Sequence, residues 1–137
     1  RSPADGKVLL PLDLMRGKLF TFISLDSMSG IIGLTRDLQA AGESLDMFSS
    51  RSESGGHRAS IVAVAEGRAD IAAIDCESWA LAQRFEPAAR KVAIVGWTAR
   101  RKGLPFITAG TTPEKTVKAM REALAGLAEK PRIQRVG

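Results

Sequence analysis

The sequence predicts an α/β domain, a parallel sheet with helices packed on its faces. Two nearly continuous apolar runs, residues 18–25 and 91–97, have the character of strands buried on both sides. Helical stretches opened by hydroxyl or acidic residues and closed by glycine or proline separate the strand-like runs. Strands alternating with helices in this way imply crossover connections and a parallel arrangement.

In chain order, residues 1–17 hold Pro3, Gly6, Pro11 and Gly17 around the short run Val8-Leu9-Leu10 and read as an irregular lead-in. The first strand spans 18–25. Ser27 then opens a helix to about Ala41, with Ile31, Leu34, Thr35 and Leu38 at helical spacing and Gly42 as its stop. A short second strand is expected at 45–49, followed by the polar loop Ser50-Arg51-Ser52-Glu53-Ser54-Gly55-Gly56-His57 and a helix over 58–66. The third strand covers 70–74. Asp75-Cys76-Glu77-Ser78 caps a helix through Phe85, which Pro87 closes. A fourth strand follows at 91–97, and a further one is expected at 104–108. Thr111-Thr112-Pro113-Glu114 starts a last helix that carries Val117, Met120, Leu124 and Leu127 on one stripe.

A length of 137 residues with 45% hydrophobic content supports one domain with a real core. No apolar run approaches the roughly 20 residues of a membrane helix. The start, Arg1-Ser2-Pro3-Ala4-Asp5-Gly6-Lys7, has neither a methionine nor the apolar core of a signal peptide, so the chain reads as a piece of a longer one. The net charge of +5 favours an anionic partner. Its clusters, Arg100-Arg101-Lys102 and the tail around Lys130, Arg132 and Arg135, lack interleaved aromatics, and we expect no nucleic-acid partner. The single cysteine, Cys76, excludes an intrachain disulfide and a cysteine-based zinc site.

The topology gathers the chemistry. In a parallel sheet every strand-to-helix turn emerges at the carboxyl edge, so Ser27 to Gly30, Ser54 to His57, and Asp75 to Ser78 share one crevice. Helix N-termini carry free amides and the positive end of a dipole, which suit an anion without any metal. Taken alone, Asp26-Ser27-Met28-Ser29-Gly30 reads as plain helix capping; its company on that edge makes it an anion cradle. His57, the only histidine, donates to an anion and does so better when protonated. Asp75 and Glu77 are the acids of the edge, placed either to cap and complement a helix or to accept from a ligand hydroxyl, amine or protonated phosphonate oxygen. Dinucleotide and P-loop glycine motifs are missing, as are metal-ligand clusters, so no cofactor is expected. A Ser27–His57–Asp75 hydrolase lacks a nucleophile elbow and is a distant reading.

Three pieces in order resemble the phosphate/phosphite/phosphonate type of periplasmic substrate-binding protein from ABC transporters. Asp13-Leu14-Met15-Arg16-Gly17-Lys18 with Asp26-Ser27-Met28-Ser29-Gly30 is similar to that family's entry to its second lobe. Ser54-Gly55-Gly56-His57-Arg58-Ala59-Ser60 is similar to its histidine loop, and residues 64–75 with Trp79 to its next strand. Gly96-Trp97 and Gly103-Leu104-Pro105-Phe106 fit the strand returning to the first lobe. The resemblance implies a two-lobed type II receptor fold, with residues 1–97 as the second lobe and 98–137 as connector and C-terminal helix returning to a largely absent first lobe. It implies a small phosphorus oxyanion held by Ser27, the Met28 amide, Ser29 and His57, a periplasmic location, an inner-membrane permease as partner, a monomeric full-length form, and no catalysis. Met28 stands where phosphonate binders often carry Thr. Of the two acids that hold a ligand amine in aminoalkylphosphonate binders, one corresponds to Glu77 and the other falls on Leu104. The alternative is the effector-sensing domain of a transcription regulator, which shares the lobe architecture.

Overall fold

The computed structural model describes residues 4–101 and 106–128, in two units, 1–101 and 102–137. In the first unit, Leu19–Phe22 (β1) lies between Ser50–Glu53 (β2) and Ile71–Ala72 (β3), and both pairings are parallel. The central position explains the apolar sequence of β1: Phe20, Thr21 and Phe22 are buried, and the Thr21 hydroxyl meets its polar need by donating to the Ser52 carbonyl at 3.1 Å. The Phe20 ring stacks on Phe48 with centroids 4.5 Å apart and on Phe22 at 5.5 Å.

Helices cover this small sheet. Leu12–Met15 (α1) contributes buried Met15. A π-helical turn, Met28–Ile32, runs into Gly33–Ala40 (α2), and together they bury Ile31, Leu34 and Leu38 against β1. His57–Ala65 (α3) and Cys76–Phe85 (α4) build a second cluster around Ile61, Ala82 and Ala89, with Trp79 and Ile74 packed on it. The helix α2 ends in a Schellman motif: the Glu43 amide donates to Leu38 O at 2.9 Å and Gly42, at φ +77°, to Gln39 O at 3.0 Å.

Two further ties close the first unit. Leu9 and Trp97 exchange backbone hydrogen bonds of 2.7 and 2.8 Å, and the Arg100 amide donates to Gly6 O at 2.9 Å. Gly96 is required there, since a Cβ would come within 2.7 Å of both Leu9 O and Pro11 Cδ. Asp37, buried on α2, accepts from Arg101 Nη2 at 2.5 Å and from the Ala99 amide at 2.8 Å. A buried carboxylate needs such partners, and here segment 99–101 supplies them.

The first strand, the helix cap at Ser27 and the capped helix at Asp75 lie where the sequence places them, although the strand is shorter and the helix opens with a π turn. The expected strand at 45–49 is displaced: Leu45–Met47 is a 3-10 turn and the strand is Ser50–Glu53. Met47 and Phe48 are apolar because the turn pushes them into the core, whereas β2 is an exposed edge that pairs through its backbone. The third strand shrinks to Ile71–Ala72. No fourth strand forms at 91–97. Pro87–Lys91 is a 3-10 turn, the stretch beyond it pairs by a single antiparallel bridge from Trp97 to Leu9, and Ile94 and Val95 stay about half exposed. Apolar residues confer a tendency to extend, but a strand also needs a partner edge. Of the expected strand at 104–108, residues 104 and 105 lie outside the described residues and 106–108 are not in a sheet. In the second unit, Glu114–Ala128 (α5) begins one residue after Pro113, as its sequence signals predict. Among the described residues no helix is long and apolar enough to cross a membrane.

Candidate functional site

Because the three strands are parallel, the turns that follow them open on one edge. After β1, Ser27 caps the π turn: its Oγ accepts from the Gly30 amide at 3.0 Å, and its carbonyl accepts from both the Ile31 and Ile32 amides at 3.1 Å. Such wide turns occur often at functional sites. A Cβ on Gly30 would stand 2.7 Å from Ser27 Oγ, so glycine is what lets the capping hydroxyl sit there. With its oxygen occupied as an acceptor, the Ser27 hydroxyl keeps its hydrogen for donation. Met28 is partly exposed on the same turn.

After β2, Ser54 and Gly55-Gly56 deliver His57 as the first residue of α3. The Ser54 Oγ lies 2.6 Å from Ser60 Oγ and donates to Gly56 O at 3.0 Å, bracing the loop from inside. Gly55 adopts φ +79°, which favours glycine. After β3, Asp75 caps α4, its Oδ1 accepting from the amides of Glu77 at 2.9 Å and Ser78 at 3.0 Å.

The three turns meet. His57 Nε2 lies 2.9 Å from Asp75 Oδ2 and 3.4 Å from Ser29 Oγ. The imidazole is largely buried, and its Nδ1 has no partner among the described residues; the Trp79 indole nitrogen on α4 is in the same condition. Burial pushes the His57 imidazole below its ordinary pKa, with Asp75 pulling the other way. Burial also opposes the charge on Asp75, yet the Ser78 side chain and amide, His57 and the Glu77 amide together hold its carboxyl below the usual range. Arg58, next in the chain, is directed elsewhere, its Nε donating to Glu86 at 2.5 Å.

The arrangement suits an oxyanion: hydroxyl donors at Ser27 and Ser29, the start of a π turn, and an imidazole held by a carboxylate. It does not suit a hydrolase. A serine–histidine–acid relay uses opposite nitrogens of the imidazole, whereas here Ser29 and Asp75 both address Nε2. Of the residues marked from the sequence, Ser29, His57 and Asp75 come together. Ser27 and Met28 sit on the adjoining turn without a hydrogen bond to them, and the exposed Glu77 carboxylate makes no hydrogen bond or ion pair among the described residues. An open groove of about 640 Å³ lined by Ser54, Gly55, Gly56, Arg58 and Ala59 borders the histidine loop, and neither Ser29 nor Asp75 lines it. Among the described residues no group of three or more His, Cys, Asp or Glu side chains could hold a metal ion. The sequence carries no sign of the Ser54–Ser60 brace or of the demand for glycine at position 30, since both depend on loop closure.

A family model described as ABC transporter, phosphonate, periplasmic substrate-binding protein matches residues 3–136. No curated protein matches the chain.

Proposed function

The chain belongs to the family of periplasmic substrate-binding proteins of phosphonate ABC transporters, and from that membership we propose that it captures a small phosphorus oxyanion at the edge where Ser29, His57 and Asp75 meet. The family is one of binding proteins, not enzymes, and the chain is the substrate-binding component of such a transporter. In our reading, residues 1–97 act as the second lobe of a two-lobed receptor, and 98–137 return toward the first. The ligand closes between the lobes and passes to a permease in the inner membrane. The receptor is a monomer in the periplasm, and nucleic acid plays no part.

The observation that carries this reading is the convergence of the π turn and His57: Ser29 Oγ lies 3.4 Å from Nε2, so a phosphoryl oxygen that takes a hydrogen bond from Ser29 lies beside the Nε2 proton and shares it with Asp75. Ser27 and the Met28 amide offer donors to a neighbouring oxygen. Methionine at position 28 supplies an amide but no hydroxyl, which favours a ligand with fewer acceptor oxygens or an apolar substituent. Asp75 and Glu77 complete the edge as acids, and Glu77, exposed and unpaired in hydrogen bonds among the described residues, is the acid placed to meet a ligand hydroxyl, while Leu104 at the second acid position argues against a ligand amine.

The test is isothermal titration of the full-length protein against methylphosphonate, phosphite, phosphate and sulfate. Saturable heat with one or more of the phosphorus oxyanions is expected. Silence from all three overturns the reading.

A further inference from the structure

We propose that Met28 is a specificity-determining residue, and that the ligand it selects is a phosphonate whose phosphorus carries a small alkyl group. The inference rests on the binding reading above and names the substrate class of that site. Met28 is the first residue of the π turn and lies between Ser27 and Ser29 along it. Both serine hydroxyls are held: Ser27 Oγ accepts from the Gly30 amide, and Ser29 Oγ lies 3.4 Å from His57 Nε2. Neither the Met28 nor the Ser29 amide forms a hydrogen bond among the described residues. Position 28 thus offers a free amide and an exposed thioether in a row of hydroxyl donors.

Core packing does not account for that thioether. Ile31 on the same turn is buried and Ile32 packs on the first apolar cluster, whereas Met28 is 38% exposed and belongs to neither cluster. Helix formation does not account for it either. Ser27 supplies the cap, and the first amides of a helical segment lack an internal partner whatever their side chains. What the side chain does determine is the surface between the two serines. A thioether gives no donor and is only a weak acceptor. It is also unbranched and polarizable, so it adapts to a small apolar group laid against it.

A tetrahedral oxyanion set on this turn carries four substituents on phosphorus. The serine hydroxyls and the two free amides give hydrogen bonds to its oxygens, and the substituent that falls against the Met28 side chain receives none. In phosphate that substituent is an oxygen, stripped of water with no donor in exchange. In phosphite it is a hydrogen, which needs no donor but brings little contact. In methylphosphonate it is a methyl group, which needs no donor and removes apolar surface from water on both partners. One side chain therefore orders the three ligands, methylphosphonate before phosphite before phosphate.

The experiment titrates methylphosphonate, phosphite and phosphate calorimetrically into the full-length wild type, Met28→Leu and Met28→Ser, at one mildly acidic pH where all three are monoanions. The ratio of affinities within one variant does not register a loss of stability, so a merely structural role of Met28 would leave it unmoved. Wild type should bind methylphosphonate about ten- to hundredfold more tightly than phosphate, and about fourfold more tightly than phosphite. Met28→Leu stays apolar and should keep the order. Met28→Ser adds a donor and should cut the ratio of methylphosphonate to phosphate affinity by about tenfold or more. Phosphate or phosphite bound by the wild type as tightly as methylphosphonate, an order lost in Met28→Leu, or a ratio unmoved in Met28→Ser overturns this inference and leaves the oxyanion reading standing. Silence of the wild type toward all three ligands overturns both.

Discussion

Replacing Gly30 by alanine sets two opposing effects against each other. Gly30 lies in a helical turn at ordinary φ, so the added methyl should relieve an entropic penalty of roughly 0.5–1 kcal/mol. Its Cβ, however, would stand 2.7 Å from Ser27 Oγ and 3.0 Å from Ser27 Cβ, so the serine side chain must leave its place. That breaks the 3.0 Å bond from the Gly30 amide, a capping interaction of about 1 kcal/mol. Holding the serine in a poorer rotamer adds of order 0.5–1.5 kcal/mol. The second effect wins, and Gly30→Ala should destabilise the protein by about 1 kcal/mol, measured by urea denaturation. Methylphosphonate affinity should fall about fivefold with it, because the displaced hydroxyl is a proposed ligand donor. Gly126→Ala is the control: that position is on α5 and a Cβ there meets nothing within 4 Å. The same chemical change at Gly126 should raise the stability of its helix. A Gly30→Ala protein as stable as wild type, with undiminished affinity, would refute the role given to this glycine.

Ser27→Ala and His57→Ala should each weaken oxyanion binding by about 1–3 kcal/mol in calorimetry, through loss of a charge-assisted hydrogen bond; wild-type affinity in either variant removes that residue from the cradle. The pH dependence of stability has a definite sign at His57. Its folded pKa lies below the unfolded value, so the native state binds fewer protons; stability is full above the unfolded pKa of about 6.5 and declines as pH falls through the folded value. His57→Gln should flatten this part of the denaturation profile, and an unchanged slope would place the acid sensitivity elsewhere. At the Asp37–Arg101 pair, Arg101→Met strands a buried carboxylate with the Ala99 amide and should cost roughly 2–4 kcal/mol. Asp37→Asn keeps an acceptor and leaves a guanidinium that reaches water, so it should cost less, about 1–2 kcal/mol by urea denaturation. The reverse order contradicts the account of that pair.

What the sequence discloses here follows from where each signal resides. The nearly continuous apolarity around Leu19, Phe20 and Phe22 and the caps at Ser27 and Asp75 are local, and the structure bears them out. Edge strand β2 has no apolar pattern to read, because its pairing runs through backbone groups and all four side chains are exposed. The 91–97 run reads as a strand for its composition, yet pairing depends on an available neighbour, which composition does not encode. For the site, the shared edge follows from topology alone. The meeting of Ser29, His57 and Asp75 does not, since residues 28 and 18 positions apart in sequence leave no periodic trace. The Asp37 to Arg101 contact, 64 positions apart, is equally silent.

The paired segments at Gly6–Leu9 and Trp97–Arg100 have a mechanical consequence. They run side by side, tied by three backbone hydrogen bonds, so the two ends of the body between them leave it at one place. Arg101 fastens the outgoing segment to α2, the helix that continues the Ser27 turn. A pull on either segment is therefore shared by the other and carried into the helix behind the Ser27 cap, instead of peeling one end of the chain away alone.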